Sequence, residues 1–376
     1  MHLAAAAAKD SRIVLTLDAG GTKFAFSAVR GGEILGSPVI FSSRGDDLDA
    51  CLDTLLEGFE RVHQGVGRTA SAISFAFPGP ADYPAGIIGD LVNLPAFRGG
   101  VALGPLLEER FGLPVFINND GDLFAYGEAL GGLLPWANGE LRASGSPKRF
   151  RNLFGVTFGT GFGAGLVHDG RLYLGDNAAA SEIWPLPNVL DRDLSAEEGV
   201  SVRGVRRAYA RAAGAALEET PDPEAMGRIA EGTMPGNREA AREAFRRLGR
   251  VAGHALACAV TLTDGLVVIG GGLSGSASLF MPALVAEMNR APGAPESEGA
   301  PSREVKAFNL EEAQERAAFF SARPCTVPVP RSNRRVTYDP LKRTGVGVSR
   351  LGTQGAVALG AYAYALHALD GHKERP

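Results

Sequence analysis

Arg12-Ile-Val-Leu-Thr-Leu-Asp18, followed at once by Ala19-Gly-Gly-Thr-Lys23, is the stretch on which the reading of the whole chain turns. The first part is short, apolar and rich in β-branched residues, so it predicts a buried strand. The second part is a glycine turn carrying a hydroxyl at Thr22 and a cation at Lys23, with the carboxylate of Asp18 just before it. Phe24 to Val29 resumes a strand, Gly31-Gly32 turns the chain again, and Glu33-Ile-Leu35 continues it. The prediction is a β-meander whose first turn is rich in glycine.

The pattern returns 138 residues later. Leu153 to Phe158 is an apolar run, Gly159-Thr-Gly161 is a turn, and Ala164 to Val167 is a strand. His168-Asp-Gly170 turns the chain and Arg171-Leu-Tyr-Leu174 continues it. At this offset Gly21-Thr22 falls on Gly159-Thr160, Val29 on Val167 and Gly32 on Gly170. A duplicated α/β domain is the plain reading. Between the copies, Ser71 to Phe77 predicts a strand ended by Pro78-Gly79-Pro80, and Val101 to Phe111 predicts a helix. Val115-Phe-Ile117 predicts a short strand with Asn118-Asn119-Asp120 at its carboxyl end, and Leu123 to Leu130 a helix. Ligand groups in α/β sheets gather at that end of the strands. Further on, Asn237 to Leu262 reads as a long helix, Leu266 to Ile269 as a strand ended by Gly270-Gly-Gly272, and Thr353 to Leu369 as a final helix. Ala291 to Pro301 reads as a linker or surface loop.

Composition narrows the classes of function. A chain of 376 residues with 45% hydrophobic and 21% charged residues is long enough for two globular domains. Its 50 glycines lie well above the usual ~7% and have no period, which excludes collagen and points to backbone held close to ligands. A net charge of −4 argues against a broad nucleic-acid surface. Cys51, Cys258 and Cys325 lie far apart without a CxxC spacing, which argues against a disulfide framework or a structural zinc site and fits a reducing cytoplasm. Met1-His-Leu and five alanines make no convincing signal peptide, and no run approaches the ~20 apolar residues of a membrane span.

Three glycine turns follow three strands: Gly20-Gly21, Gly159-Gly161 and Gly270-Gly272. Glycine there lets backbone N–H groups converge on an anion. Thr22 and Thr160 add donors, Lys23 adds charge, and Asp18 suits magnesium held through water. Tight hairpin turns alone would also use glycine, but three such turns fit a nucleoside triphosphate gripped from two sides. A Walker A loop is excluded because no Gly-Lys dipeptide occurs. Gly270-x-Gly272-x-x-Gly275 matches a dinucleotide fingerprint formally, yet the acid expected ~20 residues on would fall in the Ala291–Pro301 loop, so an NAD-linked oxidoreductase is disfavoured. Asp120, at a strand end, is the candidate general base for a sugar hydroxyl attacking phosphorus. By spacing alone it would more simply cap the helix near Gly121. Glu182 and Glu197-Glu198 are candidate acceptors for sugar hydroxyls, with surface charge the plainer reading. A basic stretch from Arg323 through Arg331, Arg334, Arg335, Lys342 and Arg343 to Arg350 has only Asp339 against it and reads most simply as a solvated loop. No HxxxH, HExxH or Gly-x-Ser-x-Gly pattern occurs.

At these residues the chain resembles the ROK family (repressor, open reading frame, kinase) of sugar kinases and sugar-sensing regulators, within the actin–hexokinase superfamily. Asp18-Ala-Gly-Gly-Thr-Lys23 is similar to the family's first phosphate loop, and Phe158-Gly-Thr-Gly-Phe-Gly-Ala-Gly165 to its second. Phe77-Pro-Gly-Pro80 and Asn93-Leu-Pro95 resemble the next landmarks. Leu113-Pro-Val-Phe-Ile-Asn-Asn-Asp120 resembles the segment with the catalytic aspartate, and Val267-Val-Ile-Gly-Gly-Gly272 the adenosine-side loop. The resemblance implies duplicated actin-like (ribonuclease H-like) α/β domains around a cleft: residues 1–122 with about 355–376, and residues 123–354. It implies an ATP- and magnesium-dependent hexose kinase with Asp120 as base, and with Asn93, Asn119, Glu182 and Glu197 as sugar ligands, Glu198 being the alternative to Glu197. Homodimers are common in the family.

The chain departs from that pattern. Glu182-Ile-Trp-Pro185 stands where the family has Glu-Ile-Gly-His, and Leu194-Ser-Ala-Glu-Glu-Gly-Val-Ser201 stands where a cysteine-rich zinc motif is expected. No structural zinc is therefore expected. Trp184 would stack on a sugar face or fill the zinc-free core. The same departure keeps a second hypothesis alongside the kinase, a sugar-binding sensor without useful catalysis. A helix-turn-helix domain of the kind the family's regulators carry has no room before residue 12.

Overall fold

The computed structural model describes residues 9–20, 22–91, 94–290, 304–321 and 324–373. The alanine tract, Gly21, Asn93, the Ala291–Pro301 linker and Arg323, all singled out above, lie outside the described residues. The chain divides into two compact units, residues 1–131 with 172–180 and 351–376, and residues 132–171 with 181–350.

The first unit is built on β1 (Ile13–Ala19), β2 (Lys23–Arg30) and β3 (Glu33–Ser42), an antiparallel meander, extended by β4 (Ala70–Ala76) and β5 (Val115–Asn118). The sheet order is β3-β2-β1-β4-β5, with β4 parallel to β1 and β5 parallel to β4. Helix α1 (Leu48–Gly65), capped by the Asp47 carboxylate on the Ala50 N–H, packs on one face of the sheet. An aromatic run of Phe24, Phe26, Phe59, Phe75, Phe77 and Phe97 fills that face, each ring fully or almost fully buried. Each such burial stabilises by roughly 1.5–3 kcal/mol relative to exposure. The residues expected as one helix from Val101 split into a two-residue strand, Val101–Ala102, and α2 (Leu103–Phe111).

The other face holds α3 (Asp120–Gly131) and the C-terminal helix Thr353–Lys373. These two helices touch backbone to backbone. A Cβ on Gly127 would sit 1.9 Å from the Ala356 carbonyl oxygen, and one on Gly360 would sit 2.0 Å from that of Leu123. Glycine at both positions lets the helices approach this closely. That packing keeps α3 in the first unit, whose first segment runs to residue 131.

The second unit repeats the plan. Strands β6 (Leu153–Phe158) and β7 (Phe162–His168) form the hairpin, and β8 (Leu266–Gly270), β9 (Lys306–Asn309) and β10 (Arg343–Val348) add parallel strands. They lie side by side in the order β7-β6-β8-β10-β9. The repeat has one slip. Ala19 pairs with Phe24 in the first hairpin and Phe158 with Phe162 in the second. The first turn is thus one residue longer, and the offset is 139 along the first strand and 138 along the second. Helix α4 (Arg238–Thr263), capped by Asn237, packs against α5 (Ala277–Asn289) over a core centred on Phe158, Phe245, Leu248 and Phe280.

The basic stretch is not one solvated loop. Cys325–Pro328 and Arg335–Tyr338 form an exposed antiparallel hairpin, but Arg343 begins β10 and is buried. Its guanidinium is bidentate to Asp339, at 3.0 and 2.8 Å, and Asp339 also accepts the Ser146 hydroxyl at 3.0 Å. Arg350 lies over the Trp136 ring, 4.3 Å from its centroid, and pairs with Glu311.

Candidate active site

In the first unit the candidate groups collect at one edge of the sheet. Strands β1, β4 and β5 run parallel, so their carboxyl ends lie together. That edge carries Asp18 and the turn to Lys23 on β1, and Asn118-Asn119-Asp120 after β5. Strands are ~4.8 Å apart, so the ends of β1 and β5 are about 10 Å apart. Ile13 to Leu17 are buried, and burial stops at Asp18, which is exposed at the sheet's edge. The turn is closed by the Gly20 N–H on the Lys23 carbonyl at 3.0 Å, and Thr22 and Lys23 are exposed. The Asp18 carboxylate accepts the side-chain amide of Gln354 at 3.3 Å, from the first turn of the C-terminal helix. An exposed carboxylate beside a phosphate-type turn fits a hydrated magnesium ion, which takes few protein ligands and keeps its waters.

Asp120 is the first residue of α3 rather than a residue before it. Asn119 and Asp120 each accept the Gly121 N–H through a side-chain oxygen, at 2.7 and 2.8 Å. Negative charge at this end of a helix is favourable. The Asp120 side chain is open to solvent on one side, while protein is dense around it on the others. Burial raises its pKa above the usual carboxylate value, and the backbone N–H bonds oppose that rise. A ligand can reach the carboxylate from solvent, while the density of protein around it sets its proton affinity.

In the second unit, two of the three glycine turns meet. Strand β8 pairs in parallel with β6, with Gly270 opposite Thr157, so Gly159–Gly161 and Gly270–Gly272 emerge side by side. Gly271 has φ +84° and ψ 168°, a backbone state open essentially to glycine alone. A Cβ there would sit 2.3 Å from the Phe158 carbonyl oxygen. At Gly159 and Gly272, by contrast, a Cβ would meet nothing within 4 Å. The first of these contacts is structural, and the two open positions face space that a ligand can enter.

The two adjacent glutamates share Arg203, which reaches Glu197 Oε1 at 3.4 Å, but differ in their other partners. Glu197 Oε2 accepts the Phe162 N–H at 3.1 Å, beside Gly161, and its own N–H donates to the Trp184 carbonyl at 3.2 Å. Glu198 turns the other way, into ion pairs with Arg203 and Arg207, and hydrogen bonding to Arg203 holds its carboxyl below the usual glutamate range. Glu198 is therefore committed to arginines, while Glu197 bridges the second turn and the Glu182–Pro185 segment. Glu182 and Trp184 are exposed and the intervening Ile183 is buried. Among the described residues no group of three or more His, Cys, Asp and Glu side chains could hold a metal ion.

The ROK family profile matches residues 14–292. The chain belongs to the ROK family. A solved glucokinase from Parabacteroides distasonis is 53% identical, with a TM-score of 0.88 over 96% of this chain and 99% of that one. The N-acetyl-D-glucosamine kinase of Photobacterium profundum is 31% identical over 167 residues, 44% of this chain and 50% of that protein. The glucokinase of Streptomyces coelicolor is 27% identical over 290 residues, 72% of this chain and 84% of that protein. The chain spans about half the length of the curated N-acetyl-D-glucosamine kinases it matches. The expected fold, duplicated actin-like α/β units, is the one shared with that solved glucokinase.

Two features of the site were not legible beforehand. Gln354 reaches Asp18 across 336 residues of chain, and nothing local marks it. Arg203 reaches Glu198 across the extended Ser201 that separates two helices, a bend that no spacing rule marks.

Proposed function

We propose that this ROK protein transfers the γ-phosphoryl group of ATP to a hydroxyl of a hexose or hexose derivative. The observation that carries the reading is Asp120: a solvent-reachable carboxylate of raised proton affinity, on the same sheet edge as Asp18 and the first glycine turn. The names of the relatives, glucokinase and N-acetyl-D-glucosamine kinase, support the substrate class. Asp120 takes the proton of the attacking hydroxyl as that oxygen bonds to the γ-phosphorus. The bond from phosphorus to the bridging oxygen breaks, and ADP leaves. Backbone N–H groups of the three turns, with Thr22, Thr160 and Lys23, hold the phosphates. Asp18, through water, would hold magnesium, which when bound neutralises phosphate charge. Asn93, Asn119, Glu182 and Glu197 hold the sugar; the ion pairs of Glu198 argue against a part for it.

ADP release measured across glucose, N-acetyl-D-glucosamine, other hexoses and ketoses tests the reading. Turnover on at least one sugar is expected, with a loss of about 10²–10⁴-fold in Asp120→Ala. A wild-type rate in that variant removes Asp120 from the mechanism. Saturable sugar binding without ADP release replaces the kinase by a sensor.

The proposal extends to a cytoplasmic homodimer, to be checked by fractionation and light scattering. Cys51, Cys258 and Cys325 are thiols rather than disulfides, the state a reducing compartment favours. No helix among the described residues is long and apolar enough to cross a membrane.

A further inference from the structure

The segment Ser181–Pro185 carries a large aromatic side chain that the mechanism above does not use. Trp184 is 45% exposed, although an indole is among the costliest groups to leave in water. It does not fill the core; the buried member of this segment is Ile183. Its backbone is nonetheless fixed, because its carbonyl accepts the Glu197 N–H at 3.2 Å. Glu197 is in turn fixed to the Phe162 N–H at 3.1 Å, beside the second glycine turn. Glu182 stands two residues before the tryptophan. An exposed flat ring on a fastened backbone, flanked by carboxylates that accept hydroxyl hydrogen bonds, has the chemistry of a carbohydrate subsite. In such a subsite carboxylates accept hydroxyl hydrogen bonds and a flat ring covers the apolar C–H face. The other exposed large aromatics among the described residues, Tyr173 and Tyr338, lie on segments that carry none of these carboxylates.

We propose that Trp184 is the stacking platform of the sugar subsite, binding a pyranose ring through its C–H face. The inference rests on the proposed kinase reading and names a residue that reading leaves idle. Stacking on the ring acts on the bound sugar as a whole and not on the reacting oxygen, so it acts on KM and leaves kcat nearly unchanged.

The chain has two tryptophans, and Trp136 is packed against Phe320 and Arg350. Trp136→Phe therefore leaves Trp184 as a lone fluorophore. In that background, saturating D-glucose or N-acetyl-D-glucosamine, whichever is turned over, is expected to shift or quench the emission with a midpoint near its KM. In the otherwise unchanged chain, Trp184→Ala is expected to raise the sugar KM about three- to tenfold, with the KM for ATP unchanged, and Trp184→Phe to restore most of the loss. An unchanged sugar KM in Trp184→Ala overturns the proposal. So does emission that ignores a sugar the enzyme phosphorylates. Either result leaves the kinase assignment standing. Absence of turnover and of binding for every sugar tested is the separate failure, in which the kinase reading falls and takes this inference with it.

Discussion

Adding one methyl group at Gly271 tests the geometry of the second unit most directly. Gly271 occupies φ +84°, ψ 168°. Placing an alanine in that region costs about 1–3 kcal/mol. Its Cβ would also lie 2.3 Å from the Phe158 carbonyl oxygen and 2.6 Å from the Phe158 nitrogen. Both are backbone atoms of the central strand β6, which cannot swing aside as a side chain can. Relieving such a clash costs about 1–3 kcal/mol more. The sum, about 2–6 kcal/mol, is a large part of the roughly 5–15 kcal/mol that holds a domain folded. Gly272→Ala is the control, because no atom lies within 4 Å of its Cβ and its φ is ordinary. It should change stability by no more than about 0.5 kcal/mol. Urea denaturation followed by circular dichroism measures both. The variants should also differ in function. Gly272→Ala should stay folded and raise the KM for ATP, since its methyl occupies space proposed for the nucleotide. Equal stabilities of the two variants would refute the reasoning, because the two glycines differ only in backbone state and in the approach of Phe158.

Asp120→Asn should lower turnover about 10²–10⁴-fold and raise the melting temperature at neutral pH. The sign follows from burial, which lifts the folded-state pKa above the unfolded value of ~3.9. The stability this group contributes is present below the unfolded pKa and is lost as pH rises through the folded pKa, so a neutral replacement relieves a penalty at pH 7. For the same reason the acid limb of kcat/KM should lie above the range of an ordinary aspartate, as a pH–rate profile would show. Asp339→Asn should destabilise the second unit by about 3–5 kcal/mol in denaturant titration, because it strands the buried Arg343 charge. Hydrogen bonding to Arg343 holds the Asp339 pKa below its usual value. The pair's contribution should therefore persist above about pH 4 and fade only as pH drops through the folded pKa.

The strands and their glycine turns could be read from the chain because their causes are local. A β-branched run followed by Asp18-Ala-Gly-Gly-Thr-Lys23 permits little else, and the same logic places Asn119 and Asp120 at the end of β5. The duplication was visible for the same reason, apart from the one-residue slip in the turn, which only strand pairing could locate. What adjacent residues do in space was not readable. Glu197 and Glu198 are chemically identical neighbours, yet one bonds the Phe162 amide and meets Arg203 only at 3.4 Å while the other is held by two arginines, because a helical turn points consecutive side chains apart. The basic stretch looked uniform, but β10 draws Arg343 into the core while the hairpin before it stays in water. The proton affinity of Asp120, the reach of Gln354 to Asp18 and the close approach of Gly271 to the Phe158 backbone are likewise tertiary. Sequence alone determined which groups this protein brings to its strand ends, since hydrophobic period and turn chemistry act over a few residues. The folded chain decided which of them meet and how strongly each holds its proton, because distance and burial are set by contacts hundreds of residues apart.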